Sequence, residues 1–241
     1  MTESKIRPLA FTESFHFSCS QAVPCFNDCC RDLNQSLTPY DVLRLKNGLG
    51  LPSNLFLERF TTLHTGPESG LPVAAFKTDP MRGHACPFVS ASGCRVYENR
   101  PSSCRMYPLA RAVSRCRATG AVNQHFALLT ESHCCGHYQK ASQTVADWLK
   151  RQGLKPYIYH NDLLLALIHK KNKMKPGALD SGAQHRFQLA LYDLDAFRER
   201  VFTKEFEPIS IDPATFDQAR TDDAALLQVG ICWLMETVFN G

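Results

Sequence analysis

The chain of 241 residues carries a formal net charge of +4, and 44% of it is hydrophobic. That length can bury a substantial core, and so small a charge, with no basic run beyond HKKNKMK at 169–175, argues against a nucleic-acid surface. No window approaches the ~18 apolar residues of a membrane span, and Glu3, Lys5, Arg7 and Glu13 interrupt the apolar residues near Met1, so neither a membrane partner nor a signal-peptide core is expected.

In chain order, the first feature is a group of four cysteines, Cys19, Cys25, Cys29 and Cys30, inside twelve residues. SLTPYDVLRLKNGLGL follows. Thr38 is the expected N-cap, Pro39 the first helical residue, Asp41 the capping-box partner and Gly48 the stop. PSNLFLERF (52–60) predicts a short helix capped by Ser53, and LPVAAFK (71–77) a strand. Residues 79–120 are dense in Pro, Gly, Ser and Cys. They predict loop with one helical turn near Ser102–Tyr107, followed by strands at PLARAV and HFALLT. From 142 the pattern turns helical, with Val145, Trp148 and Leu149 at helical spacing and Gly153 as the stop. YIYHNDLLLALIHKK (157–171) reads as a helix apolar on most faces and therefore buried. Further helices are expected at 191–202, from Asp212-Pro213, and at 222–239. The fold class is mainly α (α+β): a helical layer with an irregular, metal-stapled cysteine-rich region and a few short strands. Composition divides the chain into a cysteine-rich region, 1–140, and a helical extension packed on it, 141–241.

Ten of the eleven cysteines lie between 19 and 135, and only Cys232 lies beyond. The expected setting is the cytoplasm, where thiols stay reduced, so this usage favours metal ligation or redox chemistry over a disulfide frame. The loop composition points the same way. A loop segment of Pro, Gly and polar residues, such as 79–108, cannot fix itself by apolar burial, and thiolates on a metal are the usual solution. The spacing excludes a zinc ribbon of two Cys-x2-Cys knuckles, because the gaps are five (19 to 25), three (25 to 29), seven (86 to 94) and nine (94 to 104). No radical-SAM triad, dinucleotide fingerprint or P-loop is present in the sequence. Adjacent Cys29 and Cys30 are expected to diverge and to serve two different centres. Cys25, Cys29, Cys86 and Cys104 are expected to gather in space.

FSCSQAVPCFNDCC, ACPFVSASGCRVYENRPSSCRMYP and HCCG together resemble the cysteine-cluster proteins of the YkgJ type, a zinc- or iron-chelating family with eight recurring cysteines. The resemblance covers about residues 15–137. It implies a metal site on Cys19, Cys25, Cys29, Cys30, Cys86, Cys94, Cys104 and Cys134, and as cofactor either zinc or an iron–sulfur cluster. The opening departs from the family form, which has two residues between its early cysteines, and the late ligand is either Cys134 or Cys135. Flagellin lysine methylases, one branch similar to this family, carry an iron–sulfur cluster on such cysteines. The functional readings are therefore a metal-binding protein, an iron–sulfur-dependent modifying enzyme, or a metal-stapled interaction protein. The expected partner is a protein or small molecule.

Other residues take plainer readings. Cys232 in VGICWLM is expected in the core. Cys116 stands between two arginines that would lower a thiol pKa. His84, His133 and His137 are expected as surface loop histidines. Arg100 and Arg105 would hold either cluster sulfurs, an anion or loop carbonyls. HKKNKMK is expected as a solvated helix end.

Overall fold

The computed structural model of the chain describes residues 5–31, 33–67, 69–115, 122–203 and 206–240, so Cys116 lies outside the described residues. The strands are β1 (Lys5–Leu9), β2 (Ser14–His16), β3 (Ser36–Leu37), β4 (Thr61–Thr65), β5 (Pro72–Phe76), β6 (Val89–Ser90), β7 (Gly93–Cys94), β8 (Leu109–Arg115), β9 (Val122–Thr130) and β10 (Ser142–Thr144). The α-helices among the described residues are α1 (Pro39–Leu49), α2 (Ser53–Phe60), α3 (Ser102–Met106), α4 (Val145–Arg151), α5 (Lys155–Met174), α6 (Ser181–Leu191), α7 (Leu194–Val201), α8 (Pro213–Gln218) and α9 (Asp223–Trp233). This is an α+β chain in which helix outweighs strand.

The chain forms two compact units, and it passes between them several times. One comprises 1–33, 79–97 and 102–156; the other comprises 34–78, 98–101 and 157–241. Composition divides the chain at 140, whereas contact divides it by interleaved segments.

The first unit holds an antiparallel sheet of order β1-β9-β8 and a small pair, β2 with β10. The register places Leu9 beside Phe126 and Leu109 beside Leu128, which turns one face of the sheet to a core. That core contains Phe15, Phe17, Cys134, Val145 and Trp148 as well. Trp148 meets Phe15 and Phe17 edge-on, at 6.1 Å and 5.6 Å between ring centres, and its indole N–H donates to the Met106 carbonyl at 3.0 Å. α4 therefore belongs to the cysteine-bearing unit, although its pattern resembles the helices that follow. It starts at a capping box in which Thr144 and Asp147 satisfy each other's amides.

In the second unit, α1 starts at the expected Thr38–Asp41 capping box. It ends later than expected: Gly48 lies inside the helix, and Gly50, at φ 63, takes the left-handed position that ends it. The cap of α2 comes from elsewhere in the chain, because Asp195 accepts from both the Ser53 N–H (2.6 Å) and its hydroxyl (2.8 Å). Buried Lys46 reaches Asp223 at 2.8 Å and Asp195 at 3.4 Å, and Arg198 pairs with the other Asp223 oxygen. One ionic group thus joins α1, α7 and α9. α9 is buried almost throughout, with Leu226, Val229 and Trp233 at 0% exposure. A Cβ on Gly230 would stand 2.4 Å from the Ala190 carbonyl oxygen, so α9 and α6 touch only because that position is glycine.

Three expectations change here. α5 runs from 155 to 174, but only Tyr157, His160, Leu167 and Lys171 are buried on it, and Leu165 is 44% exposed. Its apolar residues surround the helix while the unit covers a single stripe. The basic run is not wholly solvated, since Lys171 is buried and donates to the carbonyls of Ser69 and Gly177. The helix expected at 191–202 is α7, which starts at Leu194, and a helix that was not expected, α6, precedes it from an Asp180 cap (2.8 Å to the Ala183 N–H).

Candidate metal centre

All eight cysteines implied by the resemblance, and Cys135, lie in the first unit. The early group sits in turns. Cys29 and Cys30 occupy a 3-10 turn, Asp28–Cys30, entered through Asn27 at φ 72. Cys86 follows a turn and is tied to the early group by its N–H, which donates to the Cys30 carbonyl at 2.8 Å. Cys94 closes the small hairpin β6-β7, whose register pairs it with Val89, and Cys104 is carried by α3. Cys134 caps a second 3-10 turn that contains Cys135 and is anchored by Gly136. A Cβ there would approach Phe17 to 2.5 Å, so the turn packs flat on that ring only with glycine.

The thiols sort into two neighbourhoods. Cys25 Sγ accepts from the Cys135 N–H at 3.0 Å across 110 residues of sequence. The Cys134 thiol also meets that of Cys25, and Cys19 senses the charges of Cys29, Cys25 and Cys134. Cys30 senses Cys86 and Cys104, and Cys86 senses Cys94 and Cys29. Cys29 stands between the two. Within the quartet expected to gather, the contacts of Cys25 run to the late motif, and Cys30 is the early cysteine that faces Cys86 and Cys104.

Cys29 and Cys30 do not simply diverge. Their thiols hydrogen-bond to each other, which lowers the Cys29 pKa to about 7 and raises that of Cys30. The tight turn leaves each Sγ, one bond beyond Cβ, able to swing toward its neighbour. The other thiols move up. Desolvation, then the charges of neighbouring cysteines, push Cys19 to about 11, and desolvation leads at Cys86, Cys134 and Cys135 too.

This donor set suits a thiophilic cation. Backbone N–H groups already point at sulfur: Cys135 at Cys25, Phe88 at Cys86 Sγ (3.5 Å), and Gly136 at Cys134. Such bonds favour thiolates, and a bound cation would offset the crowding of like charges that now holds the protons on. The geometry is gathered rather than closed, for among the described residues no three His, Cys, Asp or Glu side chains already form a metal-holding group.

The histidines differ from one another. His133 is 45% exposed in its side chain and lies 3.8 Å from Glu131, and His84 is exposed. His137 is not a surface residue. Its ring meets Phe17 edge-on at 5.3 Å, both nitrogens are enclosed without a hydrogen-bond partner, and desolvation lowers its pKa. The Tyr107 hydroxyl, enclosed near Cys134 and Glu131 without a partner of hydrogen-bonding geometry, was not singled out in the sequence. Arg105 is buried and donates to the Gln152 carbonyl at 2.8 Å, a loop-fixing bond. Cys232 is half-buried on α9, in the other unit.

No curated protein and no solved structure matches the chain. No helix is long and apolar enough to cross a membrane among the described residues. One family model matches, over residues 18–136, with the description "CxxCxxCC: Putative zinc- or iron-chelating domain". The matched segment runs from the residue before Cys19 to the residue after Cys135, enclosing every thiol of both neighbourhoods, and over it the chain is similar to the CxxCxxCC family of cysteine-cluster domains.

Proposed function

We propose that the first unit is a metal-holding module that binds zinc or an iron–sulfur cluster through Cys19, Cys25, Cys29, Cys30, Cys86, Cys94, Cys104 and Cys134. One observation carries this reading: thiols from three separate stretches meet inside one unit, with backbone amides aimed at their sulfurs. A structural core has no need of that arrangement, since Cys packs equally well alone. A bound metal would supply the positive charge that offsets the crowded thiolates. The chain supplies the early turn, the β6-β7 hairpin, α3 and the late turn as ligand carriers. Two neighbourhoods support two adjacent centres, Cys19–Cys25–Cys134 and Cys30–Cys86–Cys94–Cys104, with Cys29 able to serve either.

Anaerobic purification followed by metal and acid-labile sulfide analysis tests the reading. Zinc without sulfide identifies closed thiolate sites, and iron with sulfide identifies a cluster. Protein that holds neither metal, and takes up neither under reducing conditions, would overturn it.

A further inference from the structure

The geometry points to Cys135 as a ninth thiolate ligand, the fourth donor of a centre formed with Cys19, Cys25 and Cys134. This rests on the metal-binding reading and extends it to a residue outside the eight. The first neighbourhood holds three of those eight thiols, and Cys29, the other candidate donor, has its thiol on Cys30 of the second, which leaves the first one short of the four that a closed zinc or cluster site takes. Cys135 is the thiol beside these three. Its N–H donates to Cys25 Sγ at 3.0 Å, which seats its Cα over that sulfur. The segment carrying Cys19 is stitched to the same turn, because the Ser18 N–H donates to the Gly136 carbonyl at 3.1 Å and the Phe17 N–H to the Ala141 carbonyl at 3.0 Å. Residues flanking Cys19 and Cys135 are therefore joined by backbone bonds. Cys25 and Cys134 meet in the same apolar group around Phe17 and Trp148. Adjacent Cys134 and Cys135 both reach the Cys25 thiol, Cys134 at the cap of the 3-10 turn and Cys135 within it. On binding, each thiol releases its proton to solvent as its sulfur–metal bond forms, and no electron moves.

The test uses the full chain, metal-loaded and chelator-stripped, alkylated with iodoacetamide and mapped by mass spectrometry. Cys135 should be modified in the stripped protein and protected in the loaded one, as Cys25 is, while Cys232 behaves alike in both. Cys135→Ser keeps the N–H that donates to Cys25 and removes only the thiol, so it should lose the metal of this centre and keep that of the other. Equal modification of Cys135 in both states beside a protected Cys25, or a full metal complement in Cys135→Ser, overturns the inference and leaves the metal-binding reading standing. A wild-type chain with no metal and no protected cysteine overturns both.

Discussion

α9 buries seven of its eleven residues, whereas the nineteen residues 79–97 bury four, Cys86, Phe88, Gly93 and Val96. The first is held by apolar packing from every side. The second is a string of turns with one two-residue hairpin, tied by backbone bonds and by its cysteines. At about 25 cal/mol per Å² of buried apolar surface, a segment like 79–97 gathers little stabilisation against about 1–2 kcal/mol of backbone entropy per residue. The cysteine unit has its own core around Phe17 and Trp148, but 79–97 adds little to it, whereas α9 lies at the centre of the core of the helical unit.

Metal removal is the strongest way to break that comparison. Structural zinc contributes about 10–16 kcal/mol in small finger peptides, so chelation should abolish hydrogen-exchange protection across 79–108 and leave α5 and α9 protected. Protection that is the same with and without chelator would show that the cysteine unit is self-sufficient. The converse break lies in the ionic group of the helical unit. Asp223→Ala removes the nearer partner of buried Lys46, which keeps Asp195 at 3.4 Å, and the carboxylate partner of Arg198, and should cost about 2–3 kcal/mol in urea unfolding of that unit while metal content stays at the wild-type level.

Acid sharpens the comparison. His160 is stacked on Tyr40 at 4.2 Å, and burial lowers its pKa to about 4 from an ordinary 6.5. Its neutral form belongs to the folded state. Its contribution is therefore fully present above pH 6.5 and lost as pH falls through about 4, on the order of 3 kcal/mol. Calorimetry should show this slope in wild type and a flatter one in His160→Gln. In the cysteine unit the corresponding titration is one of reactivity. Stripped of metal, Cys29 should be alkylated with a midpoint near pH 7, because Cys30 donates to its thiolate, and Cys30→Ala should move that midpoint back up toward 9. An unmoved midpoint would mean that the two thiols do not share a proton. The smallest effects come from the matched caps: Thr38→Ala and Thr144→Ala should each cost about 1 kcal/mol, the first felt in the helical unit and the second in the cysteine unit.

Much of this was legible in advance. The N-terminal cap of α1, the stop after α4, the Asp212-Pro213 start of α8, the strand at 72–76 and the helical turn after Pro101 follow from local residue chemistry, and local chemistry is what a sequence displays. The cysteine series was visible because so many residue types agree across it. Three things were not visible. β1 and β2 are short and mostly exposed, so they carry no strong apolar alternation. The N-terminal cap of α2 comes from Asp195, 142 residues away, which no local signal announces. The partition of the thiols, with Cys25 toward the late turn and Cys30 toward Cys86, depends on how turns fold back rather than on spacing.

The Cys25–Cys135 bond has a consequence for synthesis. Its partners are 110 residues apart, and a whole segment of the other unit, 34–78, is made between them. At about 5–20 residues per second, the early thiols leave the ribosome roughly 5–20 seconds before the late turn exists. During that interval Cys19, Cys25, Cys29 and Cys30 stand without Cys86, Cys94, Cys104 or the late pair. Any ion they meet then finds an incomplete shell, and an oxidant finds neighbouring thiols. The same interleaving means that truncation at residue 140 would strand 34–78 and strip Val145 and Trp148 from the cysteine unit's core. On the proposed metal-holding reading, the early cysteines wait without their late partners until residue 135 has emerged.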